Sequence, residues 1–396
     1  MMDYTLALDA LERALSPVAG LETLPLASAA GRLLAEPLPA RWDTPAFDNS
    51  AMDGYALADP DGVLTDFALA GRTAAGDAPA DALLPGEALR IFTGAPLPAG
   101  ATAVVPQELA HAADGRVRLD APSPVGSHVR RRAEEFAVGA PLLAAGSVLG
   151  PAAIALAASQ GYRTVSVRRR LRVAVFSSGN ELCEPGGELA PGKIFDANRY
   201  QLLAWLASWP VDVVDGGILP DDLAQTRARL AAVAEAVDVI LTSGGASVGE
   251  EDHLKAALCE IGQLDAWRLA IKPGKPFAWG RTGAAHVFML PGNPVATFVT
   301  FYLLVAPALR KLAGAAAMRP ARLAARAVFA RGGGEVRREF LRGRLGLNSA
   351  GEPEVTPLAG QGSAMLSACA AADCLVEVPP STAVSAGDWL TVYPLG

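Results

Sequence analysis

The sequence predicts a multidomain protein that combines α/β and all-β architecture. The chain has 396 residues, which at roughly 150 residues per domain corresponds to two to four domains. Apolar residues make up 51% and charged residues 19%, as in globular proteins. The 40 glycines and 30 prolines are more than a helical bundle usually contains, so they indicate many turns and substantial β structure.

The N-terminal part of the chain combines helical segments with a region rich in glycine and proline. Apolar residues near helical spacing predict a helix within 3–15, and a second helix is predicted over 151–159. Between them, short apolar runs such as 103–106 alternate with turn residues. This pattern predicts a small β domain over 41–138.

From residue 171 the sequence alternates apolar strands with helices. Predicted strands begin at 171, 211 and 238, and the predicted helices are 196–208, 223–237 and 251–262. Alternation of this length predicts a parallel, doubly wound sheet. Ligands of such sheets bind beyond the carboxyl ends of the strands.

Two features of the remaining chain complete the fold prediction. Residues 282–309 lack charged side chains, but the PGNP turn at 291–294 leaves 15 apolar residues before Arg310. A bilayer span needs about 20, so we expect a buried helix and no membrane contact. From about 319, short apolar segments separated by turn residues predict a small C-terminal β domain or barrel.

Charge and cysteine content exclude several functions. The net charge of −7 argues against a general nucleic-acid binder, which needs a basic surface. The four cysteines form no CxxC pair, which disfavours a thiolate metal site and fits reduced thiols in the cytoplasm. The first residues carry acids among the apolar ones, unlike a secretory signal.

The segment TSGGASVGEEDH is the strongest local indication of a ligand site. Gly244, Gly245 and Gly249 allow the backbone to turn tightly and to approach a ligand, and Ser243 and Ser247 add hydroxyl donors. Backbone N–H groups before a helix suit an anion such as phosphate. An ordinary strand-to-helix turn is the alternative. The segment matches neither GxxxxGKS nor GxGxxG, so neither an ATPase nor a Rossmann dehydrogenase is supported.

Carboxylates recur at the same predicted strand ends. Glu181, Asp221, Asp222 and Asp252 each follow a predicted strand. Carboxylates from separate strand ends can converge to hold Mg²⁺ or to position water. Exposed loop acids or helix N-caps are the alternative. Asp53, in the N-terminal β region, is by itself a polar turn residue.

Two stiff turns follow the predicted parallel sheet. IKPGKPF places Lys272 and Lys275 on a Pro/Gly turn, where rigid ammonium groups would suit an oxyanion. The alternative is a basic surface turn. The PGNP turn at 291–294 is equally compatible with a simple helix entry.

Taken together, these segments resemble one family, the MoeA-type molybdopterin molybdenumtransferases, which also includes the gephyrin E domain. The matching segments occur in family order and cover nearly the whole chain: DNSAMDGYA, FTGAPLPAGATAVVPQE, SSGNEL, DANRY, GILPDD, TSGGASVGEEDH, WRLAIKPGKPFAWG, LPGNPV, FLRG and GQGS.

The resemblance implies an elongated homodimer of four-domain subunits. An N-terminal helix and linking domain would comprise 1–40 and 139–168, with a β-rich domain inserted at 41–138. A three-layer α/β/α molybdopterin-binding domain would span 169–317, and a C-terminal β-barrel would span 318–396.

The resemblance also implies a transferase reaction of molybdenum cofactor biosynthesis. Molybdenum from molybdate would enter adenylylated molybdopterin, with Mg²⁺-dependent hydrolysis and release of AMP. A molybdopterin adenylyltransferase and acceptor molybdoenzymes, or their chaperones, would be partners in the cytoplasm. A catalytically silent scaffold and the preceding adenylyltransferase step are the alternative functions.

Site residues follow from the resemblance by position. It implies catalytic roles for Asp53, Glu181, Asp221, Asp252, Lys272 and Lys275, of which the four acids would be the metal ligands. It implies substrate binding by Thr93, Ser178, Gly179, Asn180, Ser243, Gly244, Gly245, Ser247, Gly249, Arg268, Pro273, Pro291, Gly292, Asn293, Arg342 and Ser363.

Three segments depart from the family pattern. Arg268 stands where lysine is common, and Ala296 stands where many members have serine. The segment Ala133-Glu134-Glu135 replaces the usual Gly-Glu-Asp. These departures leave the role of the 130–135 loop and any specialisation of this protein open.

Overall fold

A computed structural model describes residues 1–245 and 253–395 of the chain. The helices are α1 (Tyr4–Ala14), α2 (Pro151–Ser159), α3 (Asn198–Ala207), α4 (Leu223–Ala234), α5 (His253–Ile261), α6 (Pro294–Thr300), α7 (Ala306–Ala313) and α8 (Leu366–Ala371). The strands are β1 (Leu21–Pro25), β2 (Leu38–Pro39), β3 (Asn49–Ser50), β4 (Gly54–Leu57), β5 (Asp66–Thr73), β6 (Glu87–Ile91), β7 (Ala103–Pro106), β8 (Ala110–Ala113), β9 (Arg116–Leu119), β10 (Val129–Arg130), β11 (Pro141–Leu143), β12 (Thr164–Arg168), β13 (Leu171–Ser178), β14 (Leu182–Cys183), β15 (Ile194–Phe195), β16 (Val211–Leu219), β17 (Val239–Ser243), β18 (Gly262–Arg268), β19 (Ile271–Lys272), β20 (Pro276–Thr282), β21 (Ala285–Leu290), β22 (Leu323–Ala327), β23 (Arg338–Leu347), β24 (Pro353–Pro357), β25 (Cys374–Val378) and β26 (Trp389–Pro394).

The chain divides into two compact units. The second unit comprises Pro37–Ala144 and Ala152–Arg163. The first unit contains Met1–Glu36, Ala145–Pro151 and the chain from Thr164 onward. The finer division into four domains with the boundaries given above stays a prediction.

The first unit contains a six-stranded mixed sheet in the order β16-β13-β17-β21-β20-β18. The first four strands are parallel, as predicted. The prediction of a parallel sheet is wrong for β20 and β18, which pair antiparallel. Only Gly283 and Ala284 join β20 to β21, and a parallel pair would need a crossover of roughly a dozen residues.

Helices cover both faces of this sheet. Val173 and Val175 of β13 point to the face covered by α1, α3, α6 and α7. Ala174 and Phe176 of the same strand point to the face covered by α4 and α5. Because successive side chains of a strand point to opposite faces, β13 contributes to two cores. The predicted three-layer α/β/α architecture is confirmed.

The apolar stretch after PGNP forms one helix of 20 residues, Pro294–Ala313. It consists of α6, a π-helical turn at Phe301–Val305 and α7. In the described part of the chain it is the one helix that is long and apolar enough to cross a membrane. Of its most apolar 18-residue stretch, 78% is buried inside the protein. The expectation of a buried helix is confirmed.

The C-terminal part of the first unit is a closed five-stranded barrel. The strands follow the order β23-β24-β22-β26-β25, and pairing of β23 with β25 closes the circle. Val355, Val376 and Val392 fill the interior. Strand β19 pairs with β23 from outside, which ties the IKPGKP turn to the barrel. The predicted C-terminal barrel is confirmed.

The second unit is built on another six-stranded sheet, in the order β7-β4-β6-β5-β9-β8. Its two faces are covered by separate apolar clusters, one around Ile91 and Val104 and one around Phe67 and Val117. The β-rich domain expected in this part of the chain is therefore present. Helix α2 has the predicted bounds, and Gly161 beyond it has φ +72°.

Candidate functional site

The carboxyl ends of four parallel strands lie side by side in the first unit. In the register of the sheet, Ser178 pairs with Leu219, and Ser243 pairs with Leu290. The loops that leave these ends carry the polar segments identified in the sequence. We call this edge of the sheet the strand-end site.

Gly244 holds two of these loops together. Its φ is +96°, and an added Cβ would overlap the carbonyl oxygen of Ser178. Its N–H donates to the carbonyl oxygen of Leu290 at 3.2 Å. Both the backbone conformation and the close approach therefore require glycine. Gly245 follows with φ +70°, whereas Ser247, Gly249 and Asp252 lie outside the described residues.

Asn198, at the start of α3, connects the serine of one loop with the PGNP turn. Its amide nitrogen donates to Ser243 Oγ and to the carbonyl oxygen of Gly292, each at 2.7 Å. Its Oδ1 atom is buried and has no hydrogen-bond partner in the described structure. Buried polar atoms are normally satisfied, so within residues 1–245 and 253–395 this oxygen is an unpaired acceptor.

The PGNP turn also contacts the barrel loop that contains the GQGS segment. Asn293 Nδ2 donates to Ser363 Oγ at 3.0 Å, and Val295 N donates to the Ser363 carbonyl oxygen at 3.2 Å. Thr297 anchors the turn from below by donating to the Pro291 carbonyl oxygen at 2.5 Å. The structure thus brings Pro291, Asn293 and Ser363 together.

Arg342 of β23 lies behind this loop and is only 1% exposed. Gln361 fixes its backbone through hydrogen bonds of 3.0 and 2.9 Å. The guanidinium makes long contacts of 3.3 to 3.4 Å with the carbonyl oxygens of Phe340, Gly360 and Gly362. Its Nε has no partner, and no carboxylate of the described residues lies within ion-pair distance. Burial lowers the pKa of Arg342. Within residues 1–245 and 253–395 the buried guanidinium therefore has carbonyl contacts but no ion pair.

Asp221 and Asn180 meet at the other end of the strand-end site. Asn180 Nδ2 donates to Asp221 Oδ2 at 2.7 Å, and His253 Nε2 lies 3.8 Å from the other carboxylate oxygen. Lys193 donates to the Asn180 carbonyl oxygen. An adjacent cavity of about 370 Å³ is lined by Gly179, Asn180, Lys193 and Arg229, among others. Cations and backbone therefore surround an open space next to one carboxylate.

Glu181 belongs to the same loop. Its carboxylate lies against Gly179, where a Cβ would collide with it. Asp222, also predicted as a strand-end acid, caps α4 by accepting from Gln225 N at 2.8 Å. Among residues 1–245 and 253–395, no group of three His, Cys, Asp or Glu side chains could hold a metal alone. A metal at this edge would need further ligands from a bound molecule or from the residues between these ranges.

Lys272 is tied into ion pairs. Its Nζ lies 3.0 Å from Glu335 Oε2 and 3.2 Å from Glu339 Oε1. These contacts raise the pKa of Lys272, with Glu335 as the larger cause. Arg337 and Lys272 together lower the pKa of Glu335 to about 2. The ammonium that the sequence assigned to an oxyanion is therefore already paired with two carboxylates, which Arg337 and Arg331 share.

The rest of the IKPGKP turn is placed as follows. Pro273 is buried, whereas Lys275 and Arg268 are exposed. Gly274 has φ +113°, and an added Cβ would lie 2.7 Å from Thr300 Cγ2 of α6. The turn therefore packs closely on the helix that begins at the PGNP turn.

Asp53 and Thr93 lie together in the second unit. Asp53 Oδ1 accepts hydrogen bonds of 2.8 Å from both the backbone N–H and the hydroxyl of Thr93. The backbone bond is the main cause that lowers the pKa of Asp53. The side chain is exposed and held in one orientation, as an ionised ligand or an orienting carboxylate would be.

Two parts of the site were not predicted from the sequence. Asn198 lies in the DANRY segment, and its place in the first turn of a helix that follows strand β15 was the available signal. Glu335 and Glu339 could not be recognised, because they are far from Lys272 in the sequence. Pairing of β19 with β23 places Lys272 opposite Glu339, and Glu335 lies just before β23.

The fold is that of a multidomain α/β and β-barrel protein with polar loops at the carboxyl ends of parallel strands, where ligands of α/β sheets usually bind. Models of three protein-family regions match it in order. They are the MoeA N-terminal region (domain I and II) over residues 2–161, a probable molybdopterin binding domain over 174–311, and the MoeA C-terminal region (domain IV) over 324–395. The chain therefore belongs to the MoeA family, which confirms the resemblance.

Individual relatives agree with this assignment. A molybdopterin molybdenumtransferase of Haemophilus influenzae is 38% identical over 94% of this chain and 93% of its own length. Molybdopterin molybdenumtransferase 2 of Mycobacterium tuberculosis is 35% identical over 94% of this chain and 95% of its own. The solved structure of a molybdopterin biosynthesis MoeA protein from Pyrococcus horikoshii has a TM-score of 0.85, at 26% identity and full coverage of both chains.

Proposed function

We propose that this protein is a molybdenum insertase. It takes molybdenum from molybdate, inserts it into adenylylated molybdopterin, and hydrolyses the substrate in a Mg²⁺-dependent step that releases AMP. Family membership supports the transferase assignment. The observation that carries the proposal is the buried Arg342 guanidinium, which has no counter-ion among the described residues and lies behind the loop of Ser363.

Arg342 and Ser363 form the oxyanion side of the proposed site. A buried cation is costly unless an anion or several hydrogen bonds compensate it. The planar guanidinium presents donors in a fixed fork that matches oxyanions. Molybdate, a dianion, would supply the missing charge. Lys272 contributes less to this side than Arg342, because Glu335 and Glu339 already pair with it.

The strand ends form the phosphate side. Ser243, fixed by Asn198, and the glycine turn at Gly244 present polar groups where a phosphate can approach the backbone. The neighbouring cavity carries Lys193 and Arg229. Positive charge there would stabilise the pyrophosphate of an adenylylated pterin while its anhydride bond is cleaved.

Asp221 and Glu181 would hold the Mg²⁺. The family resemblance assigns metal binding also to Asp252 and, separately, to Asp53. Mg²⁺ usually takes one or two carboxylates and completes its shell with water and phosphate oxygens. The absence of a three-carboxylate cluster in the described ranges therefore fits a metal held jointly with substrate. Bound there, the ion would neutralise charge on the cleaved anhydride. Asn180 orients Asp221 through its 2.7 Å hydrogen bond.

The remaining assignments follow from the same proposal. We place the reaction in the cytoplasm, consistent with four free cysteine thiols in the described structure. The protein acts as a homodimer, receives its substrate from a molybdopterin adenylyltransferase, and passes the product to molybdoenzymes or their chaperones.

AMP release from adenylylated molybdopterin tests the proposal. Purified protein is incubated with substrate and Mg²⁺, with and without molybdate, and AMP and active cofactor are quantified. We expect AMP release that depends on molybdate and Mg²⁺ and matches the cofactor formed. Tight substrate binding without AMP release under either condition would contradict the proposal and favour a carrier or scaffold.

A further inference from the structure

We propose a second binding site, for a small organic phosphate, at the opposite edge of the α/β sheet. A cavity of about 770 Å³ lies at the amino ends of β13 and β16. Its wall includes Arg32, Arg168, Arg169, Arg170, Arg310 and Trp209. Strand β13 has eight residues, which at roughly 3.3 Å per residue separates this cavity from the strand-end site by about 25 Å.

The wall of this cavity is strongly positive although the chain as a whole is acidic. Five arginines line it, and none of the residues that line it is Asp or Glu. Three of the arginines have partners behind the wall. Arg32 pairs with Glu22, Arg169 pairs with Asp238 at 2.7 Å, and Arg170 lies 3.8 Å from Asp212. The charge that remains comes from the other two.

Arg168 and Arg310 have no carboxylate of the described residues within ion-pair distance. Arg168 makes a long 3.4 Å contact with the Ala19 carbonyl oxygen. Arg310 contacts the Met318 carbonyl oxygen at 3.5 Å and lies over the Trp209 ring, 5.1 Å from its centroid. Burial lowers the pKa of Arg310. Most N–H donors of these two guanidinium groups are therefore available to an anion.

The negative carboxyl ends of nearby helices do not cancel the positive charge of the two arginines. Helices α3 and α7 end beside the cavity, and each carboxyl end contributes about half a negative charge. The last turn of α7 is already capped, since Ala315 N donates to the Arg310 carbonyl oxygen at 2.9 Å. Two guanidinium groups without carboxylate partners exceed what the helix ends offset, so a net positive potential remains in the cavity.

The other residues of the cavity wall indicate the chemistry of the part of the ligand that carries no charge. Leu33, Val148, Trp209 and Leu309 give it apolar surface, and small residues such as Ala313 leave room. The volume lies within the roughly 300 to 1,000 Å³ of small-molecule sites. A compact dianion with an apolar ring, such as an aryl phosphate monoester, fits both the guanidinium pair and the apolar wall.

Binding of 1-naphthyl phosphate to the full-length protein tests this inference, measured by calorimetry and by Trp fluorescence. We expect one saturable site that weakens as salt is added, with inorganic phosphate binding more weakly and 1-naphthol not at all. Arg310→Met and Arg168→Gln should each weaken binding roughly tenfold or more. Arg322→Met, at an exposed arginine outside the cavity, should leave binding unchanged.

Three results would overturn the inference. The first is no saturable binding at millimolar 1-naphthyl phosphate. The second is equal binding by wild type and both cavity variants when circular dichroism shows them folded. The third is binding lost in Arg342→Met but kept in Arg310→Met, which would assign the ligand to the strand-end site. The test is independent of AMP release, so failure of the insertase proposal and failure of this inference are distinguishable.

Discussion

Arg342 and Lys272 are two cations on neighbouring strands whose surroundings differ. Lys272 of β19 pairs in register with Glu339 of β23, and Arg342 lies three residues further along β23. Lys272 is 43% exposed and has two carboxylates at 3.0 and 3.2 Å. Arg342 is 1% exposed and has only long contacts to carbonyl oxygens. Counter-charge, more than the type of side chain, decides which cation is available to an anionic ligand.

The different surroundings of Lys272 and Arg342 also give them different roles, one in stability and one in ligand binding. The carboxylates around Lys272 compensate its charge within the fold, so this group contributes to stability at neutral pH. Among the described residues, Arg342 has long contacts to carbonyl oxygens but no ion pair, so part of the cost of its burial is left for a bound oxyanion to offset. Substitutions in the two regions should therefore have opposite consequences.

The largest effect is expected for Arg342→Met. Loss of the guanidinium should lower molybdate-dependent AMP release roughly a hundredfold, as for removal of an oxyanion-stabilising donor. Thermal stability should stay equal or rise, because an uncompensated buried charge is removed. AMP assays and thermal unfolding measure the two quantities. Arg322→Met is the control, and a fall in stability that parallels the loss of activity would show that Arg342 is structural.

An intermediate effect is expected for Glu339→Gln. The Glu339 carboxylate is buried and contacts both Lys272 and Arg331, the latter at 2.7 Å. The amide keeps the shape but loses both ion pairs, which should cost about 2 kcal/mol of unfolding free energy, since the two cations keep partial solvent access. Urea denaturation measures the loss. Glu354→Gln on the same barrel, outside this ion-pair group, should change stability little. Equal losses in both variants would refute the compensating role of Glu339.

The smallest expected effect is a pH dependence of folding stability that is caused by Glu335. Its pKa is about 2 in the folded protein, below the usual 4.5. A lowered folded-state pKa stabilises the protein above the unfolded pKa, and this stability is lost as pH falls from about 4.5 to about 2. Wild type should therefore be more stable than Glu335→Gln at pH 7, and the difference should shrink over this range. Unfolding at several pH values tests this, and a difference that stays constant with pH would contradict it.

Individual helices and strands of the fold could be predicted from the sequence. Strand β16 and helix α2 have the predicted bounds because each is a run of suitable residues with clear end signals. The antiparallel strands β18 and β20 were missed. The short connection that sets their direction becomes informative only once both segments are recognised as strands.

The residues of the candidate site could be predicted from the sequence, but the charges that surround them could be predicted less well. The strand-end residues Ser243, Gly244 and Asn293 are brought together as parallel strand ends should be. Lys272, by contrast, was expected to be a rigid cation for an oxyanion. Its ion pairs depend on Glu335 and Glu339, which the barrel places beside it. Long-range pairing of this kind carries no local sequence pattern.

Gly244 has a consequence for how this protein can vary. Each of the other amino acids adds a Cβ that overlaps the Ser178 carbonyl oxygen, and the φ of +96° adds strain to each of them. Gly187 differs, because its φ is outside the left-handed region and nothing lies within 4 Å of an added Cβ. In a saturation library selected for folded protein, we therefore expect glycine to be almost the only residue recovered at position 244, whereas position 187 should accept many residues.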